Sequence, residues 1–285
     1  DIRTHAPTAS PSTLPTRSPS ASPLSPTVSP TTITASSLLD TYFAASKGTI
    51  STVKIRGGVT SVGTRAFYSA PALTTVTLES GVTTVGDRSF MLCKSLTDVT
   101  MASSVTTFVA SPFQACSSLE QLTIPTGTTT IPADFCHGCT SLQAIVIPDT
   151  VTTVASEAFK ACTGITEVIM GSAVATMASS SFAACPAITT LGLRSQAIVG
   201  ATYTTANPLL DTYFAASKGT IAAVAIGGGV TSVGAYAFYS APALATVSLP
   251  DDVSIGEYAF GATPSLEAAS PVSYTHLTLP TTVSV

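Results

Sequence analysis

The chain is poor in charged side chains and contains no tryptophan. Only 9% of its residues are charged, against about 25% in average soluble proteins. Eleven Lys and Arg stand against fifteen Asp and Glu, which leaves a formal charge of −4. Binding to a phosphate polymer needs a basic stripe that displaces condensed counterions, and these cations are too few and too scattered to form one. We therefore expect no nucleic-acid partner.

Histidine is also scarce, with three in the whole chain, and this limits the chemistry available. A nucleophile needs a positioned base and an orienting group, and His137 with Asp134 is the one local combination beside Cys136 and Cys139. The Cys136-His137-x-Cys139 spacing offers fewer than the four converging ligands of a closed zinc site. We predict a protein that is not an enzyme, with no catalytic residues, no metal ligands and no cofactor.

Long apolar runs are missing as well. No stretch approaches the 18 or more apolar residues of a membrane-spanning helix, so we predict no membrane span. The sequence as printed opens at Asp1 without a charged and apolar leader, so a signal peptide is either cleaved or not recorded. Secretion is compatible with this composition.

What the chain does contain is a 23-residue unit repeated in tandem. Five cysteines recur once in each such unit, at Cys93, Cys116, Cys139, Cys162 and Cys185. Each unit reads F-x-x-[CA]-x-x-L-x-x-V-x-[LIM], followed by a turn and V-T-T-V. A fixed period of this length indicates a solenoid, in which one unit cannot bury its apolar face alone and stacking completes the core. The cysteine slot holds Ala70 and Ala241 in other units, which predicts a buried column of free thiols.

These motifs resemble the BspA-like leucine-rich repeats. The resemblance is carried by Leu119-x-x-Leu122-x-Ile124-Pro125, Leu142-x-x-Ile145-x-Ile147-Pro148 and Val151-Thr152-Thr153-Val154 with Ala158-Phe159-x-x-Cys162. It implies a right-handed stack with one short parallel β-strand per 23-residue repeat. It also implies a secreted or cell-surface protein with a role in adhesion or recognition. Phe135 falls one residue early in this pattern, so Cys136 takes the aromatic slot.

The pattern divides the chain into five segments. Residues 1–37 are rich in Ser, Thr and Pro and are predicted to form a disordered stalk, either O-glycosylated or a plain linker. About seven repeats fill 38–193, an irregular insertion occupies 194–208, and about three repeats fill 209–270. Residues 272–285 resemble a translated sequencing adapter, and we interpret 271–285 as an artefact.

The second array is a near-copy of the first. Residues 38–78 recur at 209–249 with 33 of 41 positions identical, which indicates either a genuine duplication or an assembly join between related reads. The eight differences spare every apolar row. Among them, Thr52 and Lys54 become Ala223 and Ala225. Variation confined to these positions predicts that they face outward.

The functional prediction places a ligand-binding face on the outer side of the strands. A protein or glycan ligand fits this face, because its columns are acidic to neutral around an apolar centre. The predicted face consists of Thr77, Asp98, Thr100, Glu120, Gln121, Thr123, Gln143, Val146, Glu167 and Ile169.

Two other functions remain open at the level of sequence. The V-T-T-V segments form two hydroxyl columns, which would suit a structural or ice-binding surface, although Thr is also a common β-strand residue. An intracellular protein-interaction scaffold with reduced thiols is the other alternative. The two columns are Thr60, Thr83, Thr106, Thr129 and Thr152, and Ser61, Thr84, Thr107, Thr130, Thr153 and Thr176.

Overall fold

The computed structural model describes residues 48–56 and 58–266. The predicted stalk at 1–37, the start of the first array and the suspected adapter at 271–285 lie outside these residues. Within them, the chain forms a parallel β-solenoid of about 9 turns, each of roughly 23 residues. This confirms the predicted repeat solenoid built on short parallel strands.

The longer strands come from the L-x-x-V-x-L stretches. Their residues alternate between buried and outward positions, as in Thr75–Leu78, where Val76 and Leu78 are buried while Thr75 and Thr77 face outward. Within each sheet of long strands, neighbouring strands pair in parallel, and Val76 lies opposite Val99. The long strands are β1 (Thr52–Ile55), β3 (Thr75–Leu78), β5 (Asp98–Met101), β8 (Ala144–Val146), β10 (Glu167–Met170), β12 (Thr190–Leu193), β13 (Ala223–Ile226) and β15 (Thr246–Ser248).

The row of long strands is interrupted at the repeat of Leu122. The resemblance implied a strand in this repeat as in the others, but residues 119–125 form none, and the sheets β1-β3-β5 and β15-β13-β12-β10-β8 end on either side of it. In regular repeats the N–H of Glu79 or Ala102 closes the strand by donating to the preceding repeat. Pro125 and Pro148 occupy the equivalent places and have no N–H to donate. Leu122 itself is still buried.

Most repeats also contain a second, two-residue strand from the V-T-T-V segment. These strands form separate parallel sheets ordered β2-β4-β6, β7-β9-β11 and β14-β16. In all of them except β16, one hydroxyl residue faces outward and one apolar residue faces the core, as in Thr84 and Val85. The short strands are β2 (Ser61–Val62), β4 (Thr84–Val85), β6 (Thr107–Phe108), β7 (Thr130–Ile131), β9 (Thr153–Val154), β11 (Thr176–Met177), β14 (Ser232–Val233) and β16 (Ser254–Ile255).

The third side of the stack is built of turns that come from the A-F-x-x-C stretch. Its backbone also pairs between repeats: the N–H groups of Arg65, Phe67 and Ser69 donate to carbonyl groups of the next repeat. Arg65 and Ser69 adopt positive φ angles of 55° and 53°, and the equivalent residues of most other repeats do the same. We call this surface the turn side.

Phenylalanine rings fill the core behind the turn side. The rings of Phe67 and Phe90 are stacked with centroids 5.3 Å apart, and those of Phe159 and Phe182 with centroids 5.1 Å apart. At the irregular repeat, the backbone N–H of Cys136 donates to the Ala158 carbonyl. The N–H of Phe159 donates in the same way to the Ser181 carbonyl, so the backbone of Cys136 does occupy the position that phenylalanine holds in other repeats. The ring of Phe135 nevertheless reaches the column from the neighbouring position and packs edge-on, 5.9 Å from Phe159.

The cysteines form a buried column of free thiols, as predicted. Each thiol of the ladder donates to a backbone carbonyl 26 residues earlier, as the Sγ of Cys116 does to the Phe90 carbonyl at 3.1 Å. Ser217 lies in the same slot, although the sequence comparison found only Ala70 and Ala241 there besides the cysteines. Its side chain is buried, and its hydroxyl donates to the Cys185 carbonyl. The slot therefore takes a small side chain that in most repeats is also a hydrogen-bond donor.

The insertion predicted at 194–208 leaves the long-strand sheet continuous, because β12 pairs with β13 and Thr190 lies opposite Ala223. The short-strand row changes instead. There, helix α1 (Gln196–Val199) contacts both β11 and β14, and a second helix, α2 (Leu209–Tyr213), follows it. The amide of Gln196 replaces strand pairing: its Oε1 accepts from the N–H of Thr231 at 2.6 Å and of Ser232 at 3.2 Å, and its Nε2 donates to Ser232.

Truncation of this glutamine should loosen the junction. We expect Gln196→Ala to lower the free energy of unfolding by about 1–3 kcal/mol, because the backbone N–H groups of Thr231 and Ser232, at the start of β14, lose their acceptor. Urea unfolding followed by circular dichroism measures this loss. Gln143→Ala is the matched control, since Gln143 is exposed on the outer side of the stack, and it should change stability by less than about 0.5 kcal/mol. Equal effects of the two substitutions would contradict the role given to Gln196.

Candidate ligand-binding face

The outer side of the long strands presents two columns of side chains, which we call the long-strand face. Strand pairing places equivalent residues of successive repeats side by side, about 4.8 Å apart. One column runs through Lys54, Thr77 and Thr100 and continues through Val146, Ile169, Gly192, Ala225 and Ser248. The other runs through Thr52, Thr75 and Asp98 and continues through Ala144, Glu167, Thr190, Ala223 and Thr246.

The structure brings most of the sequence-predicted residues onto this face. Thr77, Asp98 and Thr100 lie on β3 and β5, whereas Val146, Glu167 and Ile169 lie on β8 and β10. The other four sit at or beside the interrupted repeat and are exposed without belonging to a strand: Glu120, Gln121, Thr123 and Gln143. The predicted set is therefore divided into a polar group on one sheet and, on the other, the apolar pair Val146 and Ile169 with Glu167 beside it, with the interruption between them.

The apolar centre of the face is larger than the sequence indicated. Val146 leaves 54% of its surface exposed and lies opposite the partly exposed Ile169. Gly192 comes next along the column, where an added Cβ would contact the Ile169 side chain at 3.4 Å. Ala223 and Ala225 extend the surface on β13. The differences between the two arrays were the signal for these last residues, because Thr52 and Lys54 of β1 correspond to them.

Charges are arranged around this apolar centre. At one end of the stack, Lys54 bonds to Glu79 at 2.8 Å, and this hydrogen bond, with the charges of Lys54 and Arg56, holds the pKa of Glu79 below its usual range. At the edge of the five-stranded sheet, Arg194 pairs with Asp149 at 3.0 Å. The N–H of Ser172, with help from Arg194, holds the pKa of Asp149 low.

Three carboxylates of the predicted face lie outside these pairs. Among the described residues, Asp98, Glu120 and Glu167 are exposed and form no salt bridge. The centre of the face is consequently apolar with a negative border.

The threonine columns of the short strands are less suited to a regular lattice. Their sheets break between β6 and β7, where Phe108 replaces the usual aliphatic residue and packs against Phe135 at 5.1 Å. Several hydroxyls are engaged in the stack: Thr83 donates to the Thr60 carbonyl at 3.1 Å, and Thr152 to the Thr129 carbonyl at 3.2 Å.

The cluster around Cys136 lacks the features of a nucleophile site. The thiols of Cys136 and Cys139 are fully buried, while His137 lies partly exposed on the turn side. Burial and the neighbouring thiols raise the pKa of Cys136 well above its usual range, which opposes formation of a thiolate.

In the part of the chain that the structure describes, neither helix has the length and apolar character needed to cross a membrane.

Comparisons with known proteins agree with this geometry. The family profile described as BspA type Leucine rich repeat region matches residues 36–139 and 129–267 in 6 copies. Among solved structures, a leucine rich cell surface protein from Faecalibacterium prausnitzii is 28% identical with a TM-score of 0.50. The match covers 76% of this chain and 59% of that protein, so the chain spans about three fifths of its length.

A leucine rich repeat protein from T. pallidum is also 28% identical, with a TM-score of 0.49, over 51% of this chain and 70% of that one. A search of curated proteins finds no match. The family profile covers most of the chain. The chain therefore belongs to the family of BspA type leucine rich repeat proteins.

Proposed function

We propose that this chain is a non-enzymatic recognition protein of the cell surface or extracellular space that binds a protein ligand through the long-strand face. The observation that carries the proposal is the exposed aliphatic centre around Val146 and Ile169 on a rigid five-stranded sheet. Stacked strands hold such side chains in fixed columns, so a partner can bind them without a large ordering cost. The likeness to a leucine rich cell surface protein supports the location.

A protein ligand fits the face better than a glycan. Val146 and Ile169 are already partly buried, so covering them with a partner contributes less than the roughly 1.5–3 kcal/mol of complete burial for each side chain. Saccharides are commonly bound on aromatic rings, and the outward positions of the described long strands carry none. The exposed carboxylates Asp98, Glu120 and Glu167 favour a partner whose contact surface has modest positive charge.

The proposal is tested with the triple variant Glu120→Gln, Val146→Thr, Ile169→Thr. All three positions face outward and the new residues suit strands, so we expect the melting temperature to stay within a few degrees. Binding to a panel of extracellular matrix proteins and to a glycan array, measured by surface plasmon resonance, should weaken for the protein ligand by tenfold or more, about 1.4 kcal/mol.

A matched control removes hydroxyls from the other sheet. The variant Thr107→Val, Thr130→Val, Thr153→Val keeps side-chain shape on the short strands and should bind as the unaltered chain does. Loss of binding in this control, with the first variant unaffected, would transfer the function to the threonine columns. Binding of glycans alone would reject the choice of a protein ligand.

A further inference from the structure

The turn side brings together three side chains with metal-ligating atoms from two successive repeats. Asp134 and Glu157 occupy equivalent positions, with positive φ angles of 54° and 57°, and His137 belongs to the neighbouring column. One donor atom from each of these residues lies within 4.8 Å of the other two, and all three side chains are partly buried. This group lies apart from the long-strand face and uses none of its residues.

The contacts of His137 show convergence on a single ring nitrogen. Its Nδ1 lies 2.8 Å from Oδ1 of Asp134, 3.6 Å from Oε2 of Glu157 and 3.4 Å from the side-chain amide of Gln114. An imidazole nitrogen has either one proton or one lone pair, so a hydrogen bond serves only one of these three groups. A cation placed between them would serve all of them together.

We propose that Asp134, His137 and Glu157 form a site for a divalent transition-metal ion of the zinc type. Oxygen and nitrogen ligands lie about 2.0–2.1 Å from Zn²⁺, which separates two ligands of a tetrahedral site by about 3.3 Å. The two distances from Nδ1, 2.8 and 3.6 Å, lie on either side of this value. Both carboxylate oxygens therefore lie within about 0.5 Å of the separation from Nδ1 that a shared ion requires.

The surroundings supply a fourth ligand and an orienting contact. A half-turn of the Gln114 amide brings its oxygen to the place now occupied by the nitrogen, 3.4 Å from His137 Nδ1. Lys160 bonds to Oε1 of Glu157 at 3.0 Å, which leaves Oε2 toward the ion and holds the carboxylate in place, as outer partners do in metal sites. The imidazole ligand favours zinc-type ions over Mg²⁺ or Ca²⁺, which prefer oxygen alone.

Isothermal titration calorimetry, in which zinc chloride is added to the chelator-treated full chain, tests this site. We expect one Zn²⁺ per folded chain and a melting temperature that rises with zinc concentration. His137→Gln and Asp134→Asn should each weaken binding at least tenfold, which is the lower end of the effect of losing even an outer-shell partner. Asp98→Asn, an exposed carboxylate on the long-strand face, is the matched control and should bind zinc unchanged.

Cobalt substitution identifies the ligands independently. Co²⁺ bound by nitrogen and oxygen lacks the intense thiolate charge-transfer absorption that a site made of Cys136 and Cys139 would produce. The proposal is overturned by a thiolate band, by equal zinc affinity in His137→Gln and the unaltered chain, or by the absence of any zinc binding. The last result would mean that His137 and the two carboxylates form an ion-pair cluster only.

Discussion

Replacing Phe159 by alanine should lower the free energy of unfolding by about 3–5 kcal/mol. The side chain is fully buried, its ring stacks on Phe182 at 5.1 Å and it accepts the edge of Phe135 at 5.9 Å. The cavity left by the ring opens in the middle of a column whose members contact only their neighbours, so no distant residue can fill it. Urea unfolding followed by circular dichroism measures the loss.

Phe159→Leu separates the cavity from the loss of ring contacts. Leucine fills most of the volume of the ring and should cost less than half as much free energy of unfolding as alanine. The reason is that the lost transfer free energy and the residual cavity are both large only with alanine. Hydrogen exchange should localise the loosening to the repeats on either side of residue 159 before the ends of the stack respond. A cost below about 1 kcal/mol for alanine would show that the aromatic column is not the core of this solenoid.

The stack could be predicted from the sequence because its register is the repeat itself. Val76 pairs with Val99 and Val168 with Leu191, each pair separated by one 23-residue period, since parallel rungs align equivalent residues. The second strand of each repeat was less visible, because two residues such as Thr84 and Val85 carry too little alternation to indicate a strand.

The irregular parts of the fold depend on contacts that the period does not encode. Pro125 and Pro148 remove strand bonds on both sides of one repeat, and each proline alone is compatible with the motif. Gln196 replaces a strand through its side-chain amide, with partners 35 and 36 residues away. No local pattern predicts an interaction at that spacing, whereas the 23-residue period predicts the strand pairs between successive regular repeats.

The candidate face was predictable in direction but not in composition. Alternation placed Val146, Glu167 and Ile169 outward correctly, as the burial of the strands shows. The apolar extension through Gly192 and Ala225 required knowledge that β12 pairs with β13 across the insertion. The cluster of Asp134, His137 and Glu157 was missed for a similar reason: its members come from two repeats and meet only when the turns are stacked.

Raising the pH should destabilise this protein steeply above pH 9. Burial raises the pKa of Cys185 from its ordinary value of 9.0 to about 11, and it also raises the pKa values of Cys116, Cys136 and Cys162. A thiol that titrates later when folded stabilises the fold fully below the unfolded pKa, and this contribution is lost as pH rises through the folded pKa. For Cys185 alone the two-unit difference corresponds to about 3 kcal/mol.

The effect of the column is measured by urea unfolding at pH values from 8 to 11. Each buried thiol should add about 1.4 kcal/mol per pH unit to the downward slope between its unfolded and folded pKa values. Cys185→Ala removes one such contribution, and alanine is tolerated in this slot at Ala70 and Ala241, so its slope should be shallower by about that amount.

At pH 8 the thiols of the folded chain should resist a thiol-specific disulfide reagent, and all six should react in denaturant. A flat stability profile between pH 9 and 11, or rapid reaction of native thiols at pH 8, would show that the column opens to solvent without unfolding.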